Sequence, residues 1–197
     1  MGVWGEVSAK YRIINTQGVG RLSGFRFFTN DLDTRTAGLD LIATYAPQAL
    51  GGSTTLSFVF NYTDTAVTAF NPEIVSADRM RDLEGALPRV RWIAGFNTKA
   101  GKWNFLGRLN YYSGWWDWLD VFKCDGGNYL VDLEASYAVT DTVSVAVGAQ
   151  NALSFYPQEN PFAADALGNR YCQYTPFGFN GGYYYVRLKY NWGQQRW

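Results

Sequence analysis

Histidine is absent from the 197 residues, and cysteine occurs only twice. Without histidine the chain lacks the commonest general base and the commonest neutral metal ligand, which argues against a Ser-His or zinc-dependent hydrolase. No run of 18 or more apolar residues occurs, so a helical membrane span is excluded while a strand-built span stays open. Neither sign of charge dominates: 17 basic residues stand against 17 acidic ones, and the electrostatic footprint of a nucleic-acid binder is missing. The opening "MGVWGEVSAK" has no basic segment followed by an apolar one, so no secretory leader is read, and an exported chain would be preceded by further sequence. These absences point away from an enzyme. No cofactor or resident metal is expected, and the length requires no more than one unit, a single β-barrel segment over 1–197.

What the chain has in excess is rings: 8 Trp, 14 Tyr and 13 Phe, with 21 Gly beside them. They are ordered with period two. In "GGYYYVRLKYNW" (181–192), Tyr184, Val186, Leu188, Tyr190 and Trp192 share one parity, and Tyr183, Tyr185, Arg187, Lys189 and Asn191 the other. A strand sends successive side chains to opposite faces, so a strand with one apolar and one charged face is predicted over 182–192.

The same pattern recurs upstream. Tyr129, Val131, Leu133, Ala135 and Tyr137 oppose Asp132, Glu134 and Ser136, and after "TDT" Val143, Val145 and Val147 continue the alternation, which predicts a hairpin. Val90, Trp92, Ala94 and Phe96 pair in the same way with Trp103, Phe105, Leu109 and Tyr111 across "TKAG", leaving Arg91 and Arg108 on the polar side. Leu39, Leu41 and Tyr45 pair with Leu56, Phe58, Phe60 and Tyr62 across "PQALGG"; a weaker segment over 7–14 would bring the count to eight. Connections alternate strictly between short (47–53, 98–102, 139–142) and long (67–86, 116–128, 153–179). Outer-membrane barrels join their strands in this way, so an all-β, antiparallel up-and-down transmembrane barrel segment of about eight strands is expected.

A soluble lipocalin-like barrel would point the apolar parity inward instead. Trp92, Phe96, Trp103, Phe105, Tyr111, Phe58, Tyr129, Tyr137, Tyr184, Tyr190 and Trp192 supply more ring volume than a narrow interior holds. Tyr and Trp also gather at strand ends, as interfacial girdles do. A register reversal in the last strand would turn Arg187 and Lys189 toward lipid at roughly 2 to 4 kcal/mol each near the midplane. The ring-rich face is therefore read as the lipid face.

Longer stretches, "FFTNDLDTRTAGLDLIATY" (27–45), "RLNYYSGWWD" (108–117), "VDLEASYAVTDTVSVAVGAQN" (131–151), "YPQENP" (156–161) and "FGFNGGYYYVRLKYNW" (177–192), resemble the C-terminal barrel of TonB-dependent outer-membrane receptors. The resemblance implies the outer membrane of a Gram-negative bacterium and import of a scarce nutrient such as a ferric siderophore. It implies a 22-stranded barrel around a plug, with membrane lipid, the TonB complex and the barrel-assembly machinery as partners. In that frame the chain corresponds to the last eight strands without the plug. The phrase "ALSFYP" and the added "GQQRW" depart from the family pattern. Tyr184, Val186, Leu188, Tyr190 and Trp192 correspond to the membrane-anchoring assembly signal. A free-standing eight-stranded outer-membrane barrel with a structural or adhesive role is the alternative.

Four sets of side chains are candidates for function. Cys124 and Cys172 fall in long connections on the predicted extracellular side, where an oxidising compartment favours a bridge; two free thiols are the other possibility. Trp116 and Trp118, and Tyr171 and Tyr174 in the last long loop, offer either a stacking platform for a ligand or ordinary loop packing. Arg91, Arg108, Asp132, Glu134, Arg187 and Lys189 share the polar face and form either a charged ladder or a merely solvated interior. The sequon at 61–63 lies within a predicted strand and is discounted.

Overall fold

The computed structural model describes residues 3–6, 26–29, 32–49, 51–72, 75–117, 122–124, 126 and 128–192. In chain order these form β1 (Val3–Glu6), β2 (Arg26–Thr29), β3 (Leu32–Tyr45), β4 (Gln48–Ala49), β5 (Gly52–Phe70), α1 (Ala77–Gly85), β6 (Val90–Ala100) and β7 (Trp103–Tyr112). They continue with β8 (Trp115–Asp117), β9 (Phe122–Cys124), β10 (Asn128–Ala138), β11 (Val143–Gln150), α2 (Ala163–Leu167) and β12 (Tyr183–Tyr190). Seven long strands make one antiparallel path, β3-β5-β6-β7-β10-β11-β12, with β4 added on β5. The expected all-β, up-and-down architecture is the one observed. The further strand expected over 7–14 lies outside the described residues.

Because every neighbour is antiparallel, the two edge strands β3 and β12 run in the same direction. All short connections (46–51, 101–102, 139–142) lie at one end of the sheet and all long ones (71–89, 113–127, 151–182) at the other. The strand expected at the end of the chain is β12, which stops two residues before Trp192.

Three elements differ from expectation. β3 and β5 are longer than the apolar alternation, reaching from Leu32 and to Phe70. Threonines carry this extension: Thr36 and Thr65 hydroxyls meet at 3.0 Å across the pair, as β-branched residues with polar tips do on exposed sheet. The first long connection holds a nine-residue helix, which the strand alternation does not foretell. Ser76 caps it by accepting the Arg79 N–H at 3.2 Å, and Asp78 sits in the first turn beside the positive end of the helix.

The sheet is a single layer. Its ring-rich face carries Leu39, Leu133, Tyr184, Val186 and Leu188 in the open, the last at 71% exposure. Rings gather in two groups along it. Trp92, Tyr111 and Tyr129 meet at 5.0–6.0 Å at the long-connection end. Trp103, Phe105 and Tyr137 meet at 4.8–5.7 Å at the short-turn end, where Tyr190 and Trp192 form an edge-on pair at 4.9 Å. On β7 and β10 the ring positions are eight residues apart, 103 and 111 and 129 and 137, and Tyr184 on β12 stands eight before Trp192, just past that strand's end. Most fully buried apolar residues lie elsewhere, in the long connections: Trp115, Cys124, Cys172, Val75 and Ala163. These connections fold into a cap with a core of its own.

The opposite face is not uniformly polar. Ile42, Val59 and Ile93 lie side by side across three strands there, an aliphatic stripe among the charged residues.

Candidate functional site

The polar face joins four of its six predicted charges in pairs. Arg108 and Asp132 are cross-strand partners with Nε to Oδ2 at 3.6 Å, and Asp132 also accepts from Asn110 Nδ2 (3.1 Å) and the Asn151 N–H (2.9 Å). Glu134 is reached from two strands away: Tyr185 Oη donates to Oε2 at 2.6 Å, and Arg187 Nη2 to Oε1 at 2.6 Å. Small residues on the intervening strand make this possible. Gly148 lies opposite Tyr185 and Ala146 opposite Arg187, so the long side chains of β12 pass over β11 to β10. A Cβ on Gly148 would stand 2.5 Å from the Tyr185 ring carbon and hydroxyl, closer than any real contact. Arg91 is not in this network; its guanidinium lies 5.4 Å over the Tyr112 ring. Lys189 has no ion pair among the described residues. The predicted ladder is thus two bonded groups plus one cation–π contact.

In the cap, Cys124 and Cys172 are bridged, with Cα atoms 6.3 Å apart, tying the second long connection to the third. Tyr174 and Phe177 pack on the bridge and on Trp115, so Tyr174 belongs to the cap core and offers no open platform. Asp117, fully buried beside the bridge, accepts from the Gln173 N–H at 2.8 Å and from Asn160 Nδ2 at 3.2 Å. Asp117 and the two sulfurs are the only cluster of three potential metal-ligating side chains among the described residues. With the sulfurs bonded to each other, it offers a cation little more than one carboxylate.

Helix α1 packs on this core through Asp82, which pairs with Arg79 on Oδ2 and has no partner on its buried Oδ1. Burial raises the Asp82 carboxyl above its ordinary value, and the Asp117 carboxylate adds to the rise while Arg79 opposes it. Tyr174 is pushed up as well, first by burial and then by Asp82.

Trp116 faces away from the core into a groove of about 290 Å³ between α1 and β8, lined by Arg81, Glu84, Gly85, Leu87, Arg89 and Gly114. Gly85 fits against the indole so closely that a Cβ would be 2.4 Å from Trp116 Cδ1. The Arg81 guanidinium lies 5.9 Å over the same ring. Tyr171 is in a third place, stacked between Tyr156 (6.0 Å) and Phe179 (5.8 Å). Trp118 lies outside the described residues. Trp116, Tyr171 and Tyr174, the three of these aromatics within the described residues, therefore share no single platform.

No protein-family model matches this chain, and no curated protein does. Two solved structures resemble it. The copper transporter OprC aligns with 96% of this chain at 14% identity and a TM-score of 0.57. FpvA of P. aeruginosa, in an iron complex with a heterologous pyoverdine, aligns with 86% at 15% identity and a TM-score of 0.51. The fold is receptor-barrel-like. This chain spans 27% and 21% of the two proteins' lengths, about a quarter of each.

Asp82, Asp117 and Arg81 were not singled out by sequence reasoning. For Asp117 a signal exists, an acid set between tryptophans in "WWDWLD". For Arg81 none does, since its partner Trp116 is on a different connection.

Proposed function

We propose that the chain is the C-terminal barrel portion of a TonB-dependent outer-membrane receptor, a non-enzymatic component of nutrient uptake in a Gram-negative bacterium. The observation that carries this reading is the exposed band between two groups of rings. Eight residues of strand rise about 27 Å. With the 35–45° tilt of membrane barrels, that becomes roughly 20 Å along the normal, close to the height of the apolar band in such barrels. In water, an uncovered face of this kind would be an aggregation site. Against hydrocarbon, it needs no protein partner. Exposure of these side chains supports a lipid-facing sheet over the soluble lipocalin-like binder, in which the same rings would converge.

The cap then lies on the extracellular side, where oxidising conditions sustain the bridge. Arg108, Asp132, Glu134 and Arg187 line the lumen, where a plug would contact them, and Tyr184 to Trp192 serve the assembly machinery as its recognition strand. Copper is the cargo named for one structural relative and an iron–pyoverdine complex the ligand of the other. A scarce metal or its chelate is the cargo class we assign. Refolding into vesicles of brominated phosphatidylcholine tests the lipid contact: the bromines should quench the tryptophan fluorescence strongly, that of Trp92 and Trp103 above all. A chain that stays monodisperse in detergent-free buffer and is not quenched refutes the reading. Growth under iron or copper limitation, with and without the gene and in a strain lacking TonB, tests uptake itself.

A further inference from the structure

We infer that the groove between α1 and β8 is a binding site for a small aromatic carboxylate. The site is built on this chain's own residues and does not depend on which cargo the receptor carries. Three features define the ligand. The first is an unsatisfied cation: Arg81 has no ion-pair partner among the described residues, unlike Arg79 on the same helix and Arg89, which meets Asp64 at 3.1 Å. The Arg81 guanidinium, 5.9 Å over the Trp116 ring, lines the groove, so the cation borders the same space as the indole. The planar fork of a guanidinium matches the two oxygens of a carboxylate and discriminates against a neutral group.

The second feature is apolar surface next to that fork. Leu87 is 72% exposed at the groove mouth, and the indole of Trp116 is half-buried in its wall. A flat ring carried by the carboxylate covers both, whereas acetate reaches neither. The third is a rigid floor. Gly85 leaves no gap beneath Trp116, and Glu84 is tied to β5 by accepting the Val67 N–H at 2.8 Å. Helix and groove are thus pinned before a ligand arrives, which limits the entropy lost on binding. Glu84 is the countervailing charge: it lines the same groove, and its carboxylate repels an anion held by Arg81.

Equilibrium dialysis of radiolabelled benzoate against the full chain, bridge intact, in detergent micelles tests the site. Benzoate should bind once per chain, at least tenfold more tightly than acetate or neutral benzyl alcohol. Arg81→Gln should weaken benzoate at least tenfold, with the bridged form still seen by non-reducing electrophoresis. Glu84→Gln, which can still accept the Val67 N–H, should tighten it about threefold, an effect that loss of structure cannot mimic. Benzyl alcohol binding as well as benzoate, benzoate binding unchanged in Arg81→Gln, or no tightening in Glu84→Gln would each overturn the assignment.

Discussion

Replacing Leu133 by arginine measures what covers the ring-rich face. Leu133 lies midway between Tyr129 and Tyr137 on β10, opposite Gly107 and Ala149, and is 47% exposed. If hydrocarbon covers this position, it is at the midplane, and an arginine there costs about 2 to 4 kcal/mol. At 1.4 kcal/mol per tenfold, the folded fraction relative to unfolded falls roughly 30- to 700-fold. If water covers it, the same change at a half-open surface site stays within about 0.5 kcal/mol. Ile42→Arg is the matched control: it too exchanges an exposed aliphatic for arginine, but on the other face, where Ile42 is 74% exposed. Urea unfolding from phosphatidylcholine vesicles, followed by tryptophan fluorescence, reads both. Leu133→Arg should lower the midpoint strongly and Ile42→Arg barely. Equal effects of the two variants, or a loss under 0.5 kcal/mol at Leu133, would refute the assignment of the lipid face.

Three further outcomes follow from the same structure. Gly148→Ala puts a methyl where the Tyr185 ring lies and should release Tyr185 from Glu134, destabilising the sheet by about 1.5 to 3 kcal/mol, the worth of a hydrogen bond to a charged group; in a Tyr185→Ala background the same Gly148→Ala change should cost distinctly less in the same urea assay. Replacing both cysteines by serine opens a loop closed over a separation of 48 residues, worth about 4 kcal/mol in the chain-entropy account, and proteolysis should then cut the cap before the strands. Asp82 has its folded pKa raised above the ordinary 3.8, so its protonated form is favoured in the folded cap. Its contribution is full below that value and is lost as pH rises through the raised one. Asp82→Asn should therefore stabilise the cap against proteolysis at pH 7 relative to the parent, with the advantage vanishing below pH 4 or so.

The sheet was legible because its physics is local. Alternation across eight or ten residues specifies a strand and its faces without reference to any partner, and the lengths of the connections order the strands. Where the local signal fades, so did the reading. The upper parts of β3 and β5 carry Thr, Asp and Arg on both faces, and only their mutual pairing makes them strands. Helix α1 announces itself weakly, by Ser76 and Asp78 before a short polar run, and a search for period two passes over it. The cap depends on residues that meet from three connections. Cys124 and Cys172 could be named as a possible pair from compartment and count, but Asp117 between Asn160 and Gln173, or Arg81 over Trp116, exists only once the loops have folded together.

Direction along the sheet restricts what can complete it. β3 and β12 point the same way, so joining them to each other, or joining β12 of one copy to β3 of another around a ring, gives parallel contacts in an otherwise antiparallel sheet. Two copies can meet antiparallel only edge to like edge, β12 on β12. One copy is then inverted, and in the proposed lipid-facing arrangement its cap lies on the far side of the membrane. A bridge that needs an oxidising exterior and a cap built of polar loops both oppose that arrangement. The complement that fits the seven described strands is an odd number of strands, one-sided in the same sense, with edges running opposite to β3 and β12. This chain spans about a quarter of the receptor-type proteins it resembles. Antiparallel order at the two described edges is therefore not kept by a second copy in the same orientation.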